Sequence, residues 1–376
     1  MTSSQITLFG ATGYTGRLTA SALVHAGLAP VLAGRSANRL AALVDELTPF
    51  APKGAAPTWR TADVYEPASI RALIEDPTDV LITTVGPFLR LGRPALDAAI
   101  DAGAGYVDST GEPPFVRYVF TEGHARAIAT GARLLTAFGY DYVPGNLAGA
   151  LVLDRVRRSG EIPARIDVGY FIRGGFGISS GTRASAMGML LEPSFAYRGG
   201  SIRPERTAKR VQSFRIAKRT WQGLSIGGSE HFTLPRIAPT LQQVDVYLGW
   251  AGRMTQLASK GSAALSALRT IPGVPSLLST AAERRTTTGE GPDASARRAS
   301  KTVAVAVAYD GVGRHLDQVS VEGPNPYELT AETLAWGAAM LRAERTDAAG
   351  ALGPADAFGL AALVDGCTRM GLRATR

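Results

Sequence analysis

Short apolar runs and longer amphipathic stretches alternate through the first 150 positions. Gln5–Phe9, Pro30–Gly34, Trp59–Val64, Asp79–Val85, Tyr106–Asp108 and Arg133–Phe138 are rich in β-favouring residues and bounded by turn formers, which predicts strands. Between them, Arg17–Ala26, Asn38–Leu47, Pro67–Ile74, Gly92–Ala102, Val116–Thr130 and Leu147–Ser159 read as helices. Leu40, Leu43, Val44 and Leu47 share one helix face, and Phe120, His124 and Ile128 recur at helical spacing. Asp79–Val85 lacks the polar alternation of a half-buried strand, as suits the middle of a parallel sheet covered on both faces. This order predicts an α/β fold, a doubly wound parallel sheet complete by about residue 150.

From residue 163 the period changes. Ile166–Ile172 alternates like a half-buried strand, and Thr182–Leu191 is a small-residue helix bearing Met187 and Met189. Residues 207–234 read as strands of a mixed sheet whose outer face is basic, with Arg206, Lys209, Arg210, Arg215, Lys218 and Arg219 in and beside them. Residues 248–270 carry Leu248, Trp250, Met254, Leu257, Leu265 and Leu268 at helical spacing, and Ile271–Pro275 breaks that pattern. Thr286–Ala299 is polar and rich in turn formers, hence a loop. Thr302–Tyr309 and Leu316–Glu322 form a hairpin through Asp310–Arg314. A helix over Tyr327–Arg342 follows Gly323–Pro326, with Thr330 as its cap; a Gly/Pro turn at 349–358 and a last helix to Met370 complete the chain. The expected domains are 1–150, a second α+β domain with a mixed sheet over 151–326, and C-terminal helices over 327–376 that pack back on the first domain.

The first strand runs into Gly10-Ala11-Thr12-Gly13-Tyr14-Thr15-Gly16, and a helix follows at once. Strand, glycine turn and helix start in this order form the Rossmann dinucleotide fingerprint. Gly10 turns the chain out of the strand, Gly13 admits a pyrophosphate close to the backbone, and Gly16 lets helix and strand pack. The second strand ends at Arg35-Ser36, with Arg39 one helical turn on, and no acidic residue stands between Arg17 and Arg39. Cations here accommodate a 2′-phosphate where an acid would bind a ribose hydroxyl, so the predicted cofactor is NADPH. Asp63-Val64 ends the third strand, placed to contact adenine or to cap the helix from Pro67. Val85-Gly86-Pro87-Phe88 follows the fourth strand and is placed beside the ribose and nicotinamide; Asp108 and Gly111 lie in the turn after the fifth. The turn Gly139–Asn146 follows the sixth. These carboxyl-end turns are expected to converge on one crevice. Within it, Tyr142 is a candidate to donate to a developing enolate, and Asp141 to orient it or hold an iminium. Glu112 is a further candidate there; His231 is expected to be structural.

Composition narrows the class. The chain is 45% hydrophobic and 19% charged, as in a globular protein, with no apolar run long enough to span a bilayer. With strand residues from position 5 a leader is not expected, and a cytoplasmic location is the default. One cysteine, Cys367, excludes an internal disulfide and a cysteine-cluster metal site; four scattered histidines give no H-x-x-x-H pair, so no metal is expected. The net charge of +8 favours anionic ligands: a phosphorylated cofactor, an acidic carrier protein or anionic lipid. No nucleic-acid motif or basic helix with interleaved aromatics is present, so nucleic acid is not the expected partner. The apolar segment 248–278 is compatible with core packing, an acyl-chain tunnel, a homodimer interface or peripheral membrane contact. Arg173, Arg183 and Arg198 are candidates to hold a phosphopantetheine or a carboxylate, or are solvated charges.

Gly10–Arg17, with Ala33-Gly34-Arg35, Val85–Phe88, Tyr106–Glu112 and Gly139–Pro144, resembles the saccharopine dehydrogenase-like oxidoreductases, and within them the actinobacterial trans-acting enoyl reductases. The likeness covers the first 150 residues and returns at Gly350–Gly359. It implies an NADPH-dependent reductase with a small-molecule or carrier-bound acyl substrate. The enoyl reductases reduce a C=C bond in a lipid or polyketide chain; the saccharopine-forming members reduce an imine. Gly139-Tyr140-Asp141-Tyr142-Val143-Pro144 stands where the saccharopine reductases carry a G-L-D-P-G-like turn, without being identical to it. A C=C reductase, a C=N reductase and a non-catalytic NADPH sensor therefore remain the alternatives.

Overall fold

The structure is a computed structural model that describes residues 4–174, 193–249, 255, 259–262, 291–343 and 348–375. The expected helix Thr182–Leu191, Arg183, and most of the apolar segment 248–278 lie outside these residues. Two compact units divide the chain.

The first unit takes residues 1–110, 115–141 and 327–358. Its strands are β1 (Ile6–Phe9), β2 (Val31–Gly34), β3 (Thr58–Thr61), β4 (Val80–Thr83), β5 (Gly105–Asp108) and β6 (Arg133–Leu135), joined by the short strand Gly350–Ala351. Among the described residues the sheet runs Gly350–Ala351, β6, β5, β4, β1, β2, β3. Each neighbouring pair is parallel. This is the doubly wound order, and the direction of winding reverses between β1 and β4, where such sheets bind ligands. β1, β2, β4 and β5 are buried along their whole length, as apolar runs covered on both faces must be. β3 is the exposed edge.

Asp79 secures the entry to β4. Its buried carboxylate accepts the backbone N–H groups of Gln5, Glu75 and Asp76 at 2.8, 2.9 and 3.0 Å. One side chain thus joins the start of β1 to the turn before β4.

The second unit takes residues 111–114, 142–326 and 359–376. Its strands are β7 (Arg165–Gly174), β8 (Ser194–Arg198), β9 (Ser201–Glu205), β10 (Val211–Ile216), β11 (Arg219–Ile226), β12 (Gln243–Leu248), β13 (Ser300–Tyr309) and β14 (His315–Gly323), with Arg373–Thr375 on the edge beyond β14. The order is β10, β11, β12, β7, β13, β14, Arg373–Thr375; β8 pairs with β12 and β9. The β12–β7 pair is parallel amid antiparallel neighbours, so the sheet is mixed.

Several boundaries move. The helix Val143–Arg158, grouped with the first domain by sequence, lies against β13 and β14 of the second sheet, so the division falls after Asp141. The buried small residues Ala304, Ala306 and Ala308 of β13 accommodate it. Gln243–Leu248 alternates in polarity and forms β12, where the helix was expected to begin at Leu248. Residues 207–234 are a hairpin, β10–β11, and then a helix, Glu230–Ile237. Ala294–Arg298 is a short helix capped by Asp293 within the expected loop. The C-terminal segment is shared: the helix Pro326–Ala343 belongs to the first unit. The helix Pro354–Arg369 is interrupted at Gly359, at φ +76°, where the chain passes into the second. Among the described residues no helix is long and apolar enough to cross a membrane.

Replacing Asp79 by Ala is expected to strand three backbone donors. The measurement is urea unfolding, with a predicted loss of about 2–4 kcal/mol and an unchanged dependence on denaturant concentration.

Candidate functional site

β1 ends at Phe9, and Gly10 turns the chain with φ +88°, a conformation that favours glycine. The N–H groups of Gly10 and Ala11 both donate to the Ala33 carbonyl at the end of β2, at 2.9 and 3.1 Å. The Gly13 N–H donates to the Gly10 carbonyl at 3.0 Å and closes the turn. A Cβ on Gly16 would lie 2.1 Å from that same oxygen and 2.9 Å from the Ala11 Cα, so no other residue fits. Gly13 is exposed, and a Cβ there would meet only the Gly10 carbonyl, at 3.3 Å.

The helix Tyr14–His25 starts immediately. Gly13 is its N-cap, no side chain caps it, and its first turn holds no acid. The positive end of its dipole therefore favours an anion. An exposed glycine before an uncapped helix is the cradle a pyrophosphate requires. Thr12 and Thr15 are half-buried in this loop, and Tyr14 packs edge-on against Tyr327 at 5.0 Å between ring centroids.

Arg35 is exposed just beyond β2. Ser36 caps the next helix, Ala37–Leu47, by accepting the Arg39 N–H, and the Arg39 guanidinium donates to the Thr12 carbonyl at 3.2 Å. Arg39 is thereby held at the glycine loop. The first acids after these cations are Asp45 and Glu46, and Glu46 is ion-paired with Arg17. The residues present therefore fit a 2′-phosphorylated dinucleotide.

The turn after β4 packs directly on the loop. The Thr84 hydroxyl donates to the Gly10 carbonyl at 3.2 Å, and a Cβ on Gly10 would meet Thr84 and Val85 within 2.9 Å. The Gly86–Pro87 peptide is cis. A Cβ on Gly86 would meet nothing nearer than the Phe88 ring at 3.4 Å. Phe88 itself is buried against Phe115. Asp63 spends its carboxylate on the Tyr65 N–H and exchanges backbone hydrogen bonds with Ser69, and Val64 is buried.

Asp108 faces inward. Its fully buried carboxylate accepts the N–H groups of Thr110 and Ala137, each at 2.9 Å, and its carbonyl accepts the Phe138 N–H at 2.8 Å. Burial, partly offset by these donors, pushes its acidity up to about 6. Its side chain thus organises the ends of β5 and β6 from within. Asp141, in the turn beyond β6, also has a buried oxygen, Oδ1, without a hydrogen-bond donor among the described residues, as has the Asp108 Oδ2; burial pushes the Asp141 carboxyl up to about 7 with no donor offsetting it.

Tyr142 and Gly111 belong to the second unit. The Tyr142 ring is fully buried, and its hydroxyl shares one proton between the carbonyls of Gly227 at 3.1 Å and Gly111 at 3.3 Å. Nearby, Tyr170 bridges the Tyr142 carbonyl, the Gly145 N–H and the Glu230 carboxylate. His231 is buried beside Phe195, contacts Gly228 through Nδ1 and is pushed down to about 4 by burial, so it is neutral near pH 7. Arg173 pairs with Glu322, and Arg198 and Arg210 share Asp245.

Residues 6–134 match the family described as "Saccharopine dehydrogenase NADP binding domain". These residues are similar to the NADP-binding domain of saccharopine dehydrogenases. The cofactor class is therefore NADP, in agreement with the cations after β2. A relative in Mycobacterium tuberculosis (strain ATCC 25618 / H37Rv), named with the trans-acting enoyl reductases, is 39% identical over 191 residues, 49% of this chain and 44% of its own length. A trans-acting enoyl reductase of Mycobacterium ulcerans (strain Agy99) is 39% identical over 147 residues, 38% of this chain and 34% of its own length. The alignments span less than half the length of the curated relatives they match. Saccharopine dehydrogenase (L-Glu forming) of Saccharomyces cerevisiae has a TM-score of 0.60 at 11% identity, over 99% of each chain. Homospermidine synthase of Legionella pneumophila, solved with NAD, has a TM-score of 0.58 at 10% identity, over 100% of this chain and 92% of its own. At these identities the two structures share the fold, which thus extends beyond the NADP-binding domain.

Sequence reasoning missed Tyr327 and Thr330 as neighbours of the site. Thr330 was expected to cap its helix but lies inside it, and its hydroxyl accepts the Tyr140 N–H at 3.0 Å. Only its spacing of three from Tyr327, which puts both on one helix face, hinted at this.

Arg35→Asp is expected to weaken NADPH binding at least tenfold while changing NADH binding much less, read by fluorescence titration of each dinucleotide; equal losses would remove Arg35 from the 2′-phosphate site.

Proposed function

We propose that this chain is an NADPH-dependent reductase of a C=C bond in an enoyl group, carried on a lipid or polyketide acyl chain. The observation that carries the reading is Asp141, a buried carboxyl held up to about 7 at the same sheet edge as the glycine loop. Such a group is about half protonated at neutral pH and largely protonated below it, and can give that proton away.

The bound cofactor supplies a hydride to the β-carbon of the enoyl group. Charge then collects on the α-carbon and the carbonyl oxygen, and the reaction closes when a proton reaches the α-carbon. Asp141 is assigned that proton and recovers it from water. The exposed glycine loop and the uncapped helix hold the pyrophosphate; Arg35 and Arg39 select the phosphorylated ribose. Tyr142, whose hydroxyl is spent on two carbonyls, anchors the start of the helix Val143–Arg158. The named relatives support the enoyl reading, and their trans-acting designation suits a substrate carried on another protein. A net charge of +8 favours an acidic carrier.

NADPH oxidation with a panel of enoyl thioesters, and of imines formed from amino acids and 2-oxo acids, tests the reaction. Reduction of the thioesters is expected. Reduction of imines alone would assign C=N chemistry, and tight NADPH binding with neither would indicate a sensor.

Asp141→Asn is expected to lower turnover by about 100-fold or more, with NADPH affinity kept within twofold. In the unchanged chain, turnover should be flat below pH 7 and fall tenfold per pH unit above it, because the donor must be protonated. Stability supplies an independent check. A carboxyl raised by folding favours the folded state most when protonated, so that stability is present at low pH and lost as pH rises through about 7. Asp141→Asn, neutral at every pH, should therefore raise Tm by several degrees at pH 8.5, by less at pH 5, and barely change it below the ordinary aspartate range.

A further inference from the structure

The turn that carries Asp141 is gripped from two sides. From the sheet, Asp108 takes the Ala137 N–H on its side chain and the Phe138 N–H on its carbonyl. Ala137 is held at φ +55°, a conformation that costs a residue with a side chain about 1 kcal/mol or more unless its surroundings enforce it. From the helix Pro326–Ala343, Thr330 takes the Tyr140 N–H at 3.0 Å. A Cβ on Gly139 would lie 2.8 Å from the Thr330 methyl, so turn and helix touch without a gap. One turn on, the Thr333 hydroxyl is 3.1 Å from the Phe138 carbonyl, and Gly337 leaves room for the Phe138 ring. Residues 137 to 140 are thus each fixed by a named group, and Asp141 is next along the chain.

We propose that Thr330 is a positioning residue for Asp141: its bond to the Tyr140 N–H, opposed by Asp108, holds the turn so that the Asp141 carboxyl stays buried away from solvating donors. The helix that carries Thr330 also sets Tyr327 against Tyr14 of the glycine loop, one helical turn away on the same face. One rigid element therefore registers the proton-donor turn and the cofactor loop together. A buried carboxyl without a donor for one oxygen relaxes toward water if its backbone can move. The clamp prevents that movement, and the preorganised acid is the result. The role of the carboxyl in reduction rests on the proposed function; its positioning by Thr330 does not need turnover to be seen.

The test reads the Asp141 carboxyl directly, by NMR titration of protein labelled with 13C at aspartate side chains, the Asp141 signal being the one lost in Asp141→Asn. Asp108 titrates nearby, at about 6, and is separated by the same assignment. In the unchanged chain the signal is expected to titrate at about 7. Thr330→Ser keeps the acceptor and should leave that value in place. Thr330→Val should bring it down toward the ordinary aspartate range and speed exchange of the Tyr140 N–H at least tenfold. Thr330→Ala, which adds no methyl against Gly139, should do the same and serves if the valine variant does not fold. If either variant frees the Tyr140 N–H while Asp141 titrates as before, the positioning role is overturned. Retained turnover in Asp141→Asn would instead overturn the assignment of the acid, so the two ideas fail separately.

Discussion

The Gly10 carbonyl is the junction on which the first unit depends. It accepts the Gly13 N–H and the Thr84 hydroxyl, and it occupies the place a side chain on Gly16 would need. The Gly10 N–H, in turn, donates to the end of β2. One residue thus ties β1, β2, the turn after β4 and the first helix together at the point where the winding of the sheet reverses. Because helix and strand approach to backbone contact, the first turn of the helix opens directly above β1. The positive end of its dipole faces one spot, where the proposed phosphate site rests on geometry that the strand order has already set. A methyl group at Gly16 would push the helix away and dissolve the cradle.

Three aspartates of this unit show how the same side chain is put to different uses by the donors around it. Asp79 has three backbone N–H groups and serves only to join strands. Asp108 has two, is wholly buried and is driven up to about 6. Asp141 has a buried oxygen with no donor among the described residues and is driven up to about 7. Between Asp108 and Asp141 the donors are withdrawn, the ionised form loses support and the proton is held more tightly. Placement within the turns decides which carboxyl builds the fold and which is left able to exchange a proton.

The α/β domain was legible because its signals are local. Most strands of the parallel sheet are short apolar runs, the helices are periodic, and the glycine loop is a continuous motif between its strand and helix. The hairpin β13–β14 was legible for the same reason, its turn being marked by Asp310-Gly311. The central sheet was harder. β8, β9 and β12 are short, and β12 carries Asp245 in its interior, a pattern that reads as polar surface until Arg198 and Arg210 are seen to reach it from β8 and from the start of β10. For the same reason Arg210 reads as part of a basic outer face, and Arg198 as a candidate for a phosphopantetheine or carboxylate or as a solvated charge. Asp108 was taken for a cofactor residue because the fifth strand ends at the binding edge; its inward rotation follows from the N–H groups of Ala137 and Thr110, whose approach a linear pattern does not reveal. Thr330, about 190 residues from the turn it holds, carried no local mark at all.

The charges of the second unit sharpen the case for Asp141. Asp245 is bound by two guanidinium groups that hold it below the usual carboxylate range. Asp167 is raised by burial but paired with Arg165. A carboxylate locked to arginine surrenders that contact if it takes up a proton, so neither is a ready donor near neutral pH. Glu230 receives the Tyr170 hydroxyl, and His231 is held neutral by burial. Asp141 stands apart because burial raises it and no cation among the described residues compensates it. That arrangement weakens the folded state as pH rises, and a turn serving structure alone would do better with asparagine at this position. An uncompensated acid kept at the binding edge by a backbone clamp is intelligible as a site of proton transfer, where the stability forgone is what keeps the proton available.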